Sequence, residues 1–270
     1  MFKYIFYFLL GNALIASITI IAERNSPRVA GILMTLPTIT FLSLLLIAIE
    51  QGVEFASSAA MWNPIGLVAD VIFLGIFALG TRISRSLVIS LFLAFTSYFT
   101  SILLLRSLPI ANGFQALALL WLSCAAAYIS FRKLNARKFQ QLRASWKQIL
   151  FRGSFGGIVI TSIILLSDIA SAKWSGIFSA FPGTITPVLI VLYLSYGREM
   201  TDSVIRDSPL GLIGTGLYAF TIWLLYPREN LPLPSSTFIA FLILIAYLLV
   251  ISLLRYYFEQ QPFNHGHSKL

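Results

Sequence analysis

Apolar positions in this chain are gathered into long blocks separated by short polar breaks, with neither the two-residue alternation of a sheet nor the one-sided stripe of a soluble helix. A membrane-crossing helix needs roughly 20 apolar residues to traverse about 30 Å of hydrocarbon. Blocks of that kind fall at 4–22, 29–49, 62–80, 86–105, 113–131, 150–167, 175–196, 205–226 and 235–255. The pattern predicts an all-α polytopic membrane protein of about nine transmembrane helices. Pro64 and Pro209 fall near the starts of the third and eighth blocks, where a missing N–H costs little, so both are expected in first helical turns. The first block runs on without a small-residue cleavage site and is expected to stay in the mature chain.

Two stretches share one pattern. The first is Glu23-Arg-Asn-Ser-Pro-Arg28-Val-Ala-Gly31-Ile32-Leu-Met-Thr-Leu36-Pro37-Thr38-Ile39-Thr40, and the second runs from Asp168 through Lys173, Gly176-Ile177 and Phe181-Pro182-Gly183 to Thr184-Ile185-Thr186. An offset of 145 superposes the acid, the base, the Gly-Ile pair and the bulky residue before proline, and one inserted glycine then aligns the Thr-Ile-Thr runs. The same offset carries Asn63-Pro64-Ile65-Gly66-Leu67 onto Ser208-Pro209-Leu210-Gly211-Leu212. The chain is therefore expected to contain an internal repeat.

Composition agrees with the membrane reading. The 270 residues are 58% hydrophobic and 11% charged, with a mean hydropathy of +0.86, well outside the range of soluble domains. A net charge of +9 in such a chain marks a membrane face rather than a nucleic-acid partner. If the spans alternate, Lys3, Arg106, Lys173 and Arg228 share the face of the N-terminus, and the other 15 of the 19 Lys and Arg residues lie opposite. This asymmetry predicts an outside N-terminus and a cytoplasmic C-terminus in a bacterial inner membrane. Between the fifth and sixth blocks, Phe139, Leu142, Trp146 and Ile149 recur at helical spacing among basic residues. That linker is expected either to lie on an anionic membrane surface or to be a solvated basic connection.

An odd number of spans makes the second unit start from the opposite face. The expected organisation is a first membrane repeat at 1–110, a linking helix at 111–131, a basic cytoplasmic linker at 132–149, a second repeat at 150–258 and a polar tail at 259–270. Two inverted-topology four-helix repeats with one linking helix form an architecture found in many secondary transporters.

At Arg28-Val-Ala-Gly31-Ile32, Leu36-Pro37 and Glu50-Gln51-Gly52 the first unit resembles the GlpM-like family of small, four-span bacterial inner-membrane proteins. The second unit resembles them less closely, through Ser175-Gly176-Ile177 and Phe181-Pro182, with Lys173 replacing the arginine. The resemblance implies a fused, inverted pair. It brings no catalytic residues with it, only suggested links to glycerol metabolism and exopolysaccharide production.

Chemistry-bearing residues are few. Pro37 with Thr38 and Thr40, and Pro182 with Thr184 and Thr186, mark places where a spanning helix is either kinked or broken. A break would turn freed backbone groups and hydroxyls toward a site in mid-membrane. Asp70 is the one carboxylate well inside a span and the first candidate for proton or cation coupling, with Thr215 at its repeat position. A structural reading has Asp70 bonded to a neighbouring helix or hydrated near the interface. Asn63 is a candidate ligand contact, whereas Trp62 beside it fits an interfacial anchor.

Glu23 with Arg28 and Asp168 with Lys173 are matched acid–base pairs, readable as gates at the two faces or as ordinary loop charges. Gly153, Gly156 and Gly157 suit close helix contact. His265 and His267 stand in a polar tail and make a weak metal signal, and Cys124 is the sole cysteine, so no disulfide forms within the chain. No metal, cofactor, nucleic acid or enzymatic activity is expected, because the metalloprotease, nucleophile-elbow, Cys-x-x-Cys and phosphate-loop patterns are missing.

The expected function is a secondary transporter of a small polar solute, an ion or a lipid-linked anion, with the bilayer as its surroundings and a homodimer left open. The alternative is a non-catalytic subunit or assembly factor in envelope or exopolysaccharide biogenesis, and a lipid-modifying enzyme stands third.

Overall fold

The computed structural model describes residues 2–24, 36–134 and 145–260. Every regular element among them is a helix: α1 (Phe2–Arg24), α2 (Thr38–Gln51), α3 (Val53–Ile83), α4 (Leu87–Leu105), α5 (Gly113–Phe131), α6 (Trp146–Ile169), α7 (Ala172–Phe178), α8 (Ile185–Tyr196), α9 (Arg198–Leu225) and α10 (Leu233–Gln260). Seven of them are long and apolar enough to cross a membrane, while α2 and α8 are apolar but shorter. The chain is a multi-pass α-helical membrane protein.

Two tight turns set the layout. Gly52 (φ 91°) joins α2 to α3 and Gly197 (φ 80°) joins α8 to α9, and only glycine adopts such angles without strain. They stand 145 residues apart, and the starts of α1 and α6, α3 and α9, and α4 and α10 are separated by 144, 145 and 146 residues. Ser145 starts α6 with a capping box, its hydroxyl accepting from the Gln148 N–H while the Gln148 side chain accepts from the Ser145 N–H.

These turns move two helix starts from where they were expected. α3 begins at Val53 and α9 at Arg198, so Pro64 and Pro209 sit well inside their helices rather than in the first turn. The early polar residues that argued against helix are accommodated by partners on other helices. The Ser57 hydroxyl donates to the Trp223 carbonyl at 2.9 Å, and Asp202 accepts from Arg82 at 3.4 Å. The sixth block also begins sooner than expected, because Trp146 and Ile149 belong to the first turns of α6. Residues 135–144 of the basic linker and the histidines of the tail lie outside the described residues.

Two pairs of helices whose starts are 144 and 145 residues apart pack antiparallel. Tyr4 on α1 donates to Asp168 on α6 at 2.6 Å, and two turns further along Asn12 donates to Ser154 at 3.2 Å. Glycines let these backbones approach: a Cβ on Gly157 would lie 2.7 Å from the Phe8 carbonyl oxygen, and one on Gly156 would lie 2.0 Å from Ile15. α3 and α9 likewise run antiparallel, with Ser57 against Trp223 near one end and Arg82 against Asp202 near the other. α5 packs on both α3 and α9.

The second proline-threonine segment is a broken helix. Pro182 has no N–H to donate to the Phe178 carbonyl, which accepts instead from Phe181 at 2.9 Å, and α7 stops there. α8 resumes at Ile185, with Pro187 tolerated in its first turn. α7 packs along α3, with Gly176 beside Ala59, while α8 lies against α9 and α6 and reaches the end of α3 through the Tyr193 hydroxyl, which donates to the Arg85 carbonyl at 2.9 Å.

Burial divides the apolar residues into two cores. One gathers around α3, α4, α5 and α7, the other around α1, α2, α6, α9 and α10, and Phe181 in the break packs against both.

Candidate functional site

The break between α7 and α8 meets the beginning of α2. Pro37 (φ −76°, ψ 61°) stands outside the helix that starts at Thr38, and no side chain caps that start. A Cβ on Gly183 would lie 2.6 Å from Ile39, so the two proline-threonine motifs touch. Helix starts carry unpaired N–H groups and a partial positive charge, and both α2 and α8 start at this crossing.

Asn63 on α3 ties the crossing together. It is fully buried, and its amide nitrogen donates to the Ser179 hydroxyl at 2.7 Å and to the Thr40 hydroxyl at 3.5 Å. Both hydroxyls have already spent their protons, Ser179 on the Gly176 carbonyl at 2.7 Å and Thr40 on the Ser179 carbonyl at 3.1 Å. They can only accept from Asn63, which fixes the orientation of its amide. The Asn63 Oδ1 is left buried without a hydrogen-bond partner.

Asp70 lies two turns further along α3, within electrostatic reach of Tyr98 on α4 and Cys124 on α5. Its Oδ1 and the Tyr98 hydroxyl are also buried without partners. Tyr98 in turn packs edge-on against Phe181, ring centres 5.5 Å apart. Three unsatisfied polar atoms on one side of the break are costly, at about 1–3 kcal/mol each, and unsatisfied groups in native structures mark strain, chemistry or bound water and ions. No bond from a neighbouring helix reaches the Asp70 Oδ1 among the described residues.

The threonines divide. Thr40 is the one that bridges the two motifs. Thr38 and Thr186 donate to carbonyls within their own segments, Leu36 at 3.2 Å and Pro182 at 2.6 Å. Thr184 is exposed and caps nothing. Thr215 donates to the Gly211 carbonyl of its own helix at 3.2 Å, so the repeat position of Asp70 is self-satisfied. Sequence reasoning missed Ser179 and Tyr98. Ser179 has no counterpart hydroxyl in the first motif to draw notice, and Tyr98 sits among Thr96, Ser97, Thr100 and Ser101 in a block read only as a span.

The Asp168–Lys173 pairing expected from the sequence is replaced by another. Asp168 lies 3.5 Å from Lys3, which also bonds Glu50 at 2.8 Å. Gln51 donates to Asp168 at 2.7 Å and Tyr7 donates to Glu50. The antiparallel course of α1 and α6 brings Lys3 to the end of α6, whereas Lys173, in the first turn of α7, faces α3 and lies 3.9 Å from the centre of the Trp62 ring. Trp62 is accordingly a buried packing partner rather than an exposed anchor. Arg28 and the side chain of Glu23 lie outside the described residues.

The Lys3 network joins α1, α2 and α6 at the face of the N-terminus. Lys3→Ala leaves two carboxylates facing each other without their cation, and a single cysteine at Thr40 is then expected to react faster with an impermeant thiol reagent applied from that face. An unchanged rate would assign the network to packing alone.

Comparison with known proteins attaches no identity to this geometry, since no family model, no curated protein and no solved structure matches the chain.

Proposed function

We propose that the protein is a secondary transporter of the bacterial inner membrane, working by alternating access between two inverted repeats and carrying a small polar solute, an ion or a lipid-linked anion past the crossing of its two proline-threonine motifs. The observation that carries this reading is the Asn63–Thr40–Ser179 network with its unpartnered oxygen at a helix break. Discontinuous helices that meet near mid-membrane are where transporters of inverted-repeat design hold their substrates.

Further support comes from the equal spacing of helix starts and from the antiparallel packing of α1 on α6 and α3 on α9. Two copies of one unit related by an axis in the membrane plane require that relation. On the same reading the GlpM-like resemblance describes each half as a four-span unit. With alternating spans, the excess of cations opposite Lys3 supports an outside N-terminus and a cytoplasmic C-terminus.

The test uses proteoliposomes and a panel of amino acids, organic acids and inorganic ions, read as tracer uptake or as transient current. One class is expected to be carried, and Asn63→Ala is expected to reduce its flux by about tenfold or more, the value of one buried polar contact to a charged or strongly polar ligand. A carried solute whose flux is unchanged in Asn63→Ala would remove the crossing as the substrate site. A cysteine at Thr40 that stays equally inaccessible from both faces under every solute and gradient would count against transport itself.

A further inference from the structure

A second polar place lies at the opposite end of α3 from the Lys3 network. There an open groove of about 440 Å³ is bounded by Thr81 in the last turns of α3, Arg85 just after it, and Tyr193, Tyr196, Gly197, Arg198 and Glu199 around the α8–α9 turn. Thr81 is 18 residues beyond Asn63 along one helix, a rise of about 27 Å. The groove is thus separate from the crossing and does not depend on the transport reading.

Its charge is predominantly positive. Arg85 and Arg198 line it beside one carboxylate, Glu199, with Asp202 within electrostatic reach of Arg198, and the start of the 28-residue helix α9 has no side-chain cap, which adds unpaired N–H groups to the same rim. The adjacent Arg82 is occupied by Asp202 at 3.4 Å. Arg198 shares the field of Asp202, and its Nε is buried with no hydrogen-bond partner. A guanidinium holding back a buried donor is suited to an oxyanion, which accepts two parallel N–H bonds from one arginine.

Arg85 is held in place by its backbone. It is the one non-glycine residue among those described with a positive φ, 53°, and its carbonyl accepts from the Tyr193 hydroxyl at 2.9 Å. With alternating spans, the groove also opens on the face expected from the sequence to be the cation-rich, cytoplasmic one. Basic pockets between membrane helices on that side hold anionic headgroups.

We infer that the groove between Arg85 and Arg198 binds a phosphate group. Its two sources are the headgroup of an anionic phospholipid and free phosphate.

The test is thermal unfolding of the detergent-purified full chain, titrated separately with phosphatidylglycerol, phosphatidylcholine, inorganic phosphate and, at equal ionic strength, chloride. Phosphatidylglycerol or inorganic phosphate is expected to raise the unfolding midpoint, with half-saturation weakened about tenfold or more in Arg85→Gln/Arg198→Gln. Phosphatidylcholine and chloride are expected to leave it unmoved. A response to the lipid alone identifies a headgroup, and a response to both identifies the phosphate itself as the ligand.

If the double variant is not monodisperse, Arg198→Lys decides, since it keeps the charge and loses the fork. Half-saturation that matches the wild type in whichever variant is monodisperse would overturn the proposal. So would the lack of any shift with both phosphatidylglycerol and inorganic phosphate. Neither result would touch the transport reading, which stands on Asn63.

Discussion

Gly176→Val is expected to prevent recovery of folded protein. A Cβ at Gly176 would lie 1.9 Å from the Ala59 carbonyl oxygen, and the reciprocal Cβ at Gly66 would lie 2.2 Å from the Ile177 carbonyl oxygen. Both obstacles are backbone, so no side-chain rotation relieves them. α7 and α3 would have to separate, taking Asn63 away from Ser179 and leaving further buried polar groups unpaired. Overpacking alone costs about 1–3 kcal/mol, and each stranded polar group adds about 1–3 kcal/mol, a large share of the ~5–15 kcal/mol that stabilises a typical fold. Gly176→Ala should show the same effect at lower amplitude. Fluorescence-detected size-exclusion after a temperature ramp reads both, and a Gly176→Val protein with wild-type thermal behaviour would contradict the close α3–α7 packing.

Asp70→Asn is expected to keep the fold and abolish gradient-driven accumulation while sparing substrate binding or exchange. The substitution changes little in volume and removes the exchangeable charge. Asp70 is 5% exposed, with Oδ1 unpartnered, so no ion pair within the protein is lost. Intramembrane carboxylates of this kind serve as proton or cation sites. The measurement is substrate accumulation in proteoliposomes with an imposed proton or sodium gradient, beside counterflow without one. Accumulation equal to the wild type would make Asp70 structural and move the coupling site to Thr38, Thr40, Thr184 or Thr186.

Much of the helical layout was legible because hydrophobic length reports a membrane span almost directly. Pro64 shows where that reading stops. An apolar-block criterion starts α3 near Trp62, after Glu54, Ser57 and Ser58, yet the helix starts at Val53, since Gly52 makes the turn and Ser57 finds the Trp223 carbonyl across the α3–α9 contact. Such long-range partners leave no local trace. The same limit explains the ion pairs: Asp168 and Lys173 are neighbours in sequence, but helix packing carries Lys3 to Asp168 from 165 residues away.

The break at Pro182 could be placed from the sequence because proline and glycine act on their own turn. Kinked or broken was open, and Phe181 helps decide it by packing into both cores. Asn63 was visible as a polar residue before Pro64, whereas its partner Ser179 became identifiable only when α7 was laid against α3.

The proposed inverted relation of the two halves is most directly tested by cysteine labelling at positions one repeat apart. Glu54 and Glu199 stand 145 apart, are both exposed, and each lies in the first turn after its glycine. With Cys124→Ser as background, Glu54→Cys and Glu199→Cys are introduced singly and treated with an impermeant thiol reagent, in intact cells and again after permeabilisation. The account predicts that Glu54→Cys is labelled in intact cells and that Glu199→Cys is labelled only once the membrane is opened. Labelling of both from the same side would contradict the inverted repeat and, with it, the proposed alternating access.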